Sequence, residues 1–293
     1  MDLTSLLDLE RIDEDRWLGP VDPVDLPQLY GGLLVAQSLV AGGLSCDPRA
    51  RVHSSHTTFL SAGTAGEPVE YRVEELLTGR RRSTRDVGAW QHGRLLTRTL
   101  VSAAAPGEEL PYSPAAPADP SALAPAGRVE DAVPMAVIAE ESGGLGPWWS
   151  QFHAVEARLA TPDGPGGPDG PSGPDGQGDV RLWMRTSERL PDDPLVHRAA
   201  LAYTSDLLLI STAAVVHGVP FGHETTLAAA WWGISLDHTM WFADDLRADD
   251  WLLHEQVSPV GHDGRVLVQS GVRDLAGRRV CGLAQEALLR RQR

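Results

Sequence analysis

Three polar residues, an acid, a hydroxyl and an amide, stand within largely apolar stretches. Asp206 interrupts Tyr203-Thr204-Ser205-Asp206-Leu207-Leu208-Leu209-Ile210. Ser235 lies in Trp232-Gly233-Ile234-Ser235-Leu236-Asp237-His238, and Gln285 in Cys281-Gly282-Leu283-Ala284-Gln285-Glu286-Ala287-Leu288. An acid, a hydroxyl and an amide can together hold a water molecule and take its proton. The carboxylate acts as general base while the other two fix the direction of the oxygen. Each residue also has a plainer reading: Asp206 as an acid capping a helix start, Ser235 as a satisfied strand hydroxyl, Gln285 as a solvated strand residue. The apolar pattern already reads helical from His197, which predicts Asp206 inside a helix His197–His217. A carboxylate there costs several kcal/mol unless it is paired or reaches a solvated cleft. Alternation along one strand puts Ser235 and Asp237 on one face and Leu236 and His238 on the other. Asp237 and His238 therefore point apart, and no Gly-x-Ser-x-Gly elbow exposes a serine, so a Ser-His-Asp triad is rejected. His238 and His56 read as strand-packing histidines, with a ligand contact open to either.

What must position the three residues is visible as a repeat. The apolar segment Tyr30-Gly31-Gly32 through Gly43 is followed by a β-like run containing His56-Thr57-Thr58-Phe59. The segment from Tyr203 is likewise followed by His238-Thr239-Met240-Trp241-Phe242. Each copy then runs through two strand patterns joined by a Gly turn, His92-Gly93-Arg94 and Ala276-Gly277-Arg278. Superposing the copies sets Leu33 against Asp206, His53 against Ser235 and Val101 against Gln285. Only the second copy is polar at all three places, as expected of a duplicated scaffold with one active half.

The helix candidates are Leu33 to Ala41 and His197 to His217, both apolar nearly all round apart from positions such as Gln37. A helix without a polar face must be surrounded. Val69–Glu74, Arg94–Val101 and Arg265–Val272 alternate as strands with one wet face. A curved antiparallel sheet wrapped around one helix, repeated once in tandem, is an α+β double hotdog. The first repeat spans 1–106 and the second 146–293. Between them, 107–145 is a Pro/Ala-rich linker in which no regular helix or central strand is expected. The Pro/Gly/Asp stretch at 162–178 is a low-complexity loop joining two strands of a hairpin, His153–Leu159 and Val180–Arg185.

The net charge of −15 over 293 residues argues against nucleic acid, whose binding rewards clustered Lys and Arg. Arg80-Arg81-Arg82 with Arg85 is a local basic patch that reads as a solvated turn or as a phosphate contact. No apolar run approaches the ~20 residues of a membrane span. The start lacks a signal-peptide pattern, and the two cysteines, Cys46 and Cys281, read as free thiols in a reducing cytoplasm. No phosphate loop, dinucleotide fingerprint or metal-spaced His cluster occurs, so neither cofactor nor metal is expected.

The sequence resembles the type II acyl-CoA thioesterases, the TesB-like double-hotdog enzymes. The likeness is carried by Gln28-Leu29-Tyr30-Gly31-Gly32, Val52-His53-Ser54-Ser55-His56, Gln91-His92-Gly93-Arg94, Tyr203-Thr204-Ser205-Asp206, Trp251-Leu252-Leu253 and Ala284-Gln285-Glu286. Its most specific stretch is Ser235-Leu236-Asp237-His238-Thr239-Met240-Trp241-Phe242. The resemblance implies hydrolysis of acyl-CoA by a water held by Asp206, Ser235 and Gln285. Such a reaction also calls for an oxyanion donor, for which the backbone at Gly31 or Gly32 is a candidate because no Cβ blocks approach. Without a phosphate loop, Arg80, Arg81 and Arg82 are the candidate phosphate contacts, and His56 is a candidate ligand contact. The family's usual Gly after Gln-Glu is Ala287 here. Two other readings share the fold: a non-catalytic acyl-CoA-binding protein, which predicts a broken trio, and a hydratase or dehydratase, whose Gly-Asp-x-Asn-Pro-x-His stretch is absent. A double hotdog mimics a dimer within one chain and leaves room for a homo-oligomer.

Overall fold

The structure is a computed structural model that describes residues 2–107, 128–142, 149–160 and 178–292. The chain begins α1 (Leu3–Leu7), β1 (Glu10–Arg11), β2 (Arg16–Gly19), α2 (Gly31–Leu44) and β3 (Arg51–Phe59). There follow β4 (Val69–Thr78), β5 (Arg82–Gln91), β6 (Arg94–Ala104), β7 (Val133–Pro134), α3 (Met135–Ser142), β8 (Val155–Leu159) and β9 (Gly178–Thr186). The last third holds α4 (Pro194–Ser205), α5 (Leu209–Val215), α6 (Glu224–Ala230), β10 (Trp231–Ser235) and β11 (Asp237–Phe242). It closes with β12 (Leu252–His262), β13 (Arg265–Arg273) and β14 (Arg279–Arg291).

The residues pack as two compact units. The first comprises Met1–Tyr112, Glu188–Leu207 and Asp237–Asp249; the second comprises Ser113–Ser187, Leu208–Leu236 and Asp250–Arg293. Grouping by contact thus differs from the repeat read in the sequence, since residues 188–207 and 237–249 pack with the first unit.

In the first unit the antiparallel order is β1-β2-β4-β5-β6-β3-β11. Helix α2 lies against β2 to β6 and against α4. Its apolar circumference is buried, including Leu33, Val35, Leu39 and Ala41, and each such Leu or Val contributes about 1.5–3 kcal/mol. Gln37, the polar exception, is satisfied: its Nε2 donates to the Leu6 and Pro20 carbonyls and its Oε1 accepts from Tyr71. Strands β5 and β6 turn through His92 and Gly93, both at positive φ (50° and 74°), the left-handed pair that matches hairpin twist.

In the second unit the antiparallel order is β14-β13-β12-β9-β8-β7, with β10 on the other side of β14. Helix α5 lies against β9, β12, β13 and β14. A sheet wrapped on a buried helix, present in each unit, makes the chain a double hotdog. No helix among the described residues is long and apolar enough to cross a membrane.

Three sequence expectations are corrected. The helix expected over 197–217 is two helices, because α4 ends at Ser205 and α5 begins at Leu209, with Leu208 left-handed (φ 61°) between them. The run 232–238 is not one strand: β10 pairs with β14 and β11 with β3, and the chain breaks at Leu236, whose N–H donates to the Glu286 carbonyl. Face alternation cannot be carried across that break. The segment read as an irregular linker holds α3, where Met135 is fully buried and only its preceding stretch is Pro-rich. The loop at 162–178 lies, but for its last residue, outside the described residues.

In the second unit a buried histidine and a half-buried glutamate oppose each other in their dependence on pH. His254 on β12 is buried with no hydrogen-bond partner at either ring nitrogen, and burial lowers its pKa to about 4. Glu224 on α6 is raised by burial to about 7, opposed by a hydrogen bond from Ser211. As pH falls from about 6.5 to about 4, the unfolded chain protonates the histidine and the folded chain does not, so stability is lost. As pH rises from about 4.5 to about 7, the unfolded chain ionises the glutamate first, and stability is again lost. The slopes are each at most about 1.4 kcal/mol per pH unit and nearly cancel between pH 4.5 and 6.5. Denaturant titrations of Glu224→Gln are expected to show stability rising with pH in that window, and those of His254→Leu the reverse slope. Parallel pH profiles for the two variants would contradict this.

Candidate active site

Asp206 owes its position to the way α4 ends. The helix starts on the Asp193 side-chain cap and Pro194, and its last turn is Ala202-Tyr203-Thr204-Ser205. No glycine ends it. Instead the terminal carbonyls are taken one by one. Thr204 Oγ1 donates to Leu201 O and Ser205 Oγ to Ala202 O, each at 3.1 Å. The Tyr30 hydroxyl donates to Tyr203 O at 2.6 Å. In a continuing α-helix, Leu207 N–H would hold that carbonyl; here it goes to Thr204 O at 3.2 Å. Asp206 is consequently the C-cap residue, half-buried, rather than an interior one. Ser205 is further tied to His238 Nε2 on β11 at 2.9 Å, which gives that fully buried histidine a structural task.

The start of α2 receives the other side of Asp206. A methyl group at Gly31 would lie 2.7 Å from Asp206 Oδ2 and 3.3 Å from the Phe59 ring. A methyl at Gly32 would lie 2.5 Å from both Tyr203 O and the Tyr30 hydroxyl. Both glycines therefore clear space, one for the carboxylate and one for the hydrogen bond behind it. Tyr30 is the extended N-cap of α2 and gives that helix no side-chain cap. The positive end of the α2 dipole favours an anion there by roughly 0.3–1 kcal/mol. Tyr30 and Tyr203 meet edge to face at 5.0 Å. Tyr203 in turn donates to Asp22 Oδ2 at 2.9 Å, while Asp22 Oδ1 accepts from Val24 N–H. Burial holds both phenols well above their usual pKa, with the Asp206 charge adding to this at Tyr30, so both stay protonated donors. Burial also raises the Asp22 carboxyl.

Ser235 and Gln285 are brought together in the second unit. Ser235 ends β10 opposite Ala287 of β14, and Gln285 lies two residues earlier on the same face of β14. Gln285 is 1% exposed. Its Nε2 donates to Ser235 Oγ at 2.9 Å, which leaves the serine O–H as a donor to a further acceptor. Asp206 belongs to the first unit and this pair to the second. Ala287, the departure from the family pattern, is fully buried.

Of the other sequence candidates, His56 lies on β3 with its ring edge-on to Trp241 at 5.5 Å. Arg80, Arg81 and Arg82 are exposed at the β4–β5 turn. Arg85 is not part of that patch: it is 2% exposed and donates to Ser45 Oγ and the Ser45, Leu77 and Thr84 carbonyls. Tyr30, Tyr203 and Asp22 were not among the candidates. The one signal for them was the hydroxyl of each tyrosine set beside an apolar run.

Residues 19–105 match the family model for the acyl-CoA thioesterase N-terminal domain, and residues 129–289 that for the C-terminal domain. Rat acyl-coenzyme A thioesterase 8 is 30% identical over 295 residues, covering 98% of this chain and 88% of the relative. Acyl-CoA thioesterase 2 of Haemophilus influenzae is 28% identical over 290 residues, covering 98% and 96%. The crystal structure of acyl-CoA thioesterase II TesB2 from Mycobacterium marinum superposes with a TM-score of 0.78 at 31% identity, covering 99% of this chain and 98% of that one. With both of its halves matched and its fold shared, the chain belongs to the type II acyl-CoA thioesterase family.

Proposed function

We propose that this thioesterase hydrolyses acyl-CoA through a water molecule that Asp206 deprotonates and that Ser235 and Gln285 orient. The observation that carries the reading is the Gln285–Ser235 hydrogen bond, because a buried amide that holds a hydroxyl fixes the direction in which that hydroxyl can donate. The water oxygen forms a bond to the thioester carbonyl carbon as its proton passes to the Asp206 carboxylate. The carbonyl oxygen becomes an oxyanion, for which the N–H groups of Gly31 and Gly32, unpaired within the first turn of a helix, are the proposed donors. Collapse breaks the C–S bond. The coenzyme A thiolate takes the proton back from Asp206, and a carboxylic acid is released. A thiol leaving group with a pKa near ~8.5 departs without a strong general acid, so one positioned base suffices.

A positioned base contributes about 10²–10⁴-fold, roughly 3–5 kcal/mol. Free thiol release from acyl-CoA by Asp206→Asn is therefore expected to fall at least ~100-fold in kcat with KM little changed. Ser235→Ala is expected to lose a smaller factor on the order of 10–100. Full activity in Asp206→Asn sinks the reading; saturable acyl-CoA binding with no turnover by the wild type would make the chain a binding protein. Gly31→Ala is expected to lower kcat as well, because its methyl would fall 2.7 Å from Asp206 Oδ2.

Arg80, Arg81 and Arg82 are proposed to meet the coenzyme A phosphates, supported by their exposure and their charge on an acidic chain. Replacing all three by alanine is expected to raise KM for acyl-CoA several-fold and leave KM for the acyl-pantetheine, which lacks those phosphates, unchanged. Equal effects on both substrates would count against the assignment. A reducing cytoplasmic setting is part of the same reading, supported by the burial of both thiols, Cys46 and Cys281.

A further inference from the structure

We infer that Tyr30 is a positioning residue for the reaction: its hydroxyl, by taking the Tyr203 carbonyl from the helix, ends α4 at the residue that must present its carboxylate. This rests on the proposed role of Asp206 as base.

The geometry gives the hydroxyl a competitor. Tyr203 O is the acceptor that Leu207 N–H would use if α4 ran one residue further. With Tyr30 on that oxygen at 2.6 Å, Leu207 N–H instead closes a tighter turn onto Thr204 O at 3.2 Å. Asp206 then takes the C-cap position and the chain turns left-handed at Leu208, φ 61° and ψ 8°. A left-handed leucine is strained, since its Cβ crowds the following carbonyl. No Gly or Pro lies from Ala199 to His217, and the short polar side chains that can loosen a helix locally, Thr204 and Ser205, bond Leu201 O and Ala202 O and leave Tyr203 O to another partner. The break needs a partner from outside the helix, and the Tyr30 hydroxyl supplies one.

The surroundings of the bond are arranged for it. Gly32 is the residue whose side chain would collide with both partners, at 2.5 Å from each. The Tyr203 ring, packed edge-on against Tyr30, is itself anchored by its hydroxyl to Asp22. Tyr30 thus touches the end of α4 through its ring and its oxygen together, and only the oxygen competes for the carbonyl.

Removing that oxygen alone separates the two contributions. In Tyr30→Phe the ring contact with Tyr203 is kept, Leu207 N–H is free to return to Tyr203 O, and Asp206 is drawn into the helix. With full-length protein and an acyl-CoA substrate, kcat is expected to fall about tenfold or more with KM changed less than threefold and the melting temperature little altered. Adding Tyr30→Phe to Asp206→Asn is expected to cost nothing further, because the group being positioned is already gone. Leu208→Gly, which adopts a left-handed φ without strain, is expected to restore part of the activity of Tyr30→Phe by holding the break open from the other side. Unchanged kcat in Tyr30→Phe would overturn the inference, as would losses that multiply in the double variant or a defect that Leu208→Gly leaves untouched. Full activity in Asp206→Asn would instead overturn the catalytic reading beneath it, so the two failures are distinguishable.

Discussion

A helix end inside a protein must find partners for its last carbonyls, and this requirement organises the region around Asp206. Helix α4 is buried from His197 to Ser205, so its last carbonyls are met by protein groups. Its own Thr204 and Ser205 hydroxyls add a second bond to the Leu201 and Ala202 carbonyls, Tyr30 takes the Tyr203 carbonyl and a tightened turn takes the Thr204 carbonyl. Each of those bonds fixes something else. The tyrosine fixes the start of α2, the tightened turn fixes Asp206, and Ser205 fixes His238 of β11. The Tyr-Gly-Gly sequence at 30–32 is the complement of this helix end: one hydroxyl to bind it and two missing side chains to admit it.

The proposed chemistry draws on the same economy. Thioester hydrolysis needs no metal-spaced ligands and no nucleophilic elbow, only a base, a held water and donors at the oxyanion. The chain spends its polar interior accordingly. In the first unit polar groups gather where α4 ends on α2, and in the second the amide of Gln285 is buried to hold one hydroxyl. The acidic net charge is left to the surface, where the exposed arginines of the β4–β5 turn stand apart from it.

Much of the architecture was legible in the sequence because apolar helices and alternating strands have different periods, and because the pattern occurs twice. The Gly turn at His92-Gly93 and the strands starting at Val69, Arg94 and Arg265 lie where the pattern puts them. The break at Asp206 was not legible, since Leu207-Leu208-Leu209 continues a helical pattern and the agent of the break is 173 residues away at Tyr30. Long-range hydrogen bonds leave no periodicity. The interruption at Leu236 was hidden for a related reason: two short strands with different partners read as one when only the residue types are seen. The basic cluster misled at Arg85, which shares its neighbours' charge but is turned inward to cap carbonyls near Ser45. Among the proposed site residues, Asp206 and Gln285 stood out because each was polar against an apolar residue of the other copy, Leu33 and Val101, whereas Ser235 faces His53 and stood out only as a member of the trio. Tyr203 and Tyr30 did not, because an aromatic ring suits a core and its hydroxyl goes unnoticed.

The central claim is that Asp206 activates water rather than attacking the thioester itself. The most direct measurement is a single turnover in water enriched in oxygen-18, with enzyme in excess over acyl-CoA, followed by mass spectrometry of the released acid and of the peptide containing Asp206. Water activation places the label in the acid during that first turnover and leaves the Asp206 carboxylate unlabelled. Label in the Asp206 peptide, with an unlabelled acid, would mean that the carboxylate forms an anhydride with the acyl group and would contradict the account.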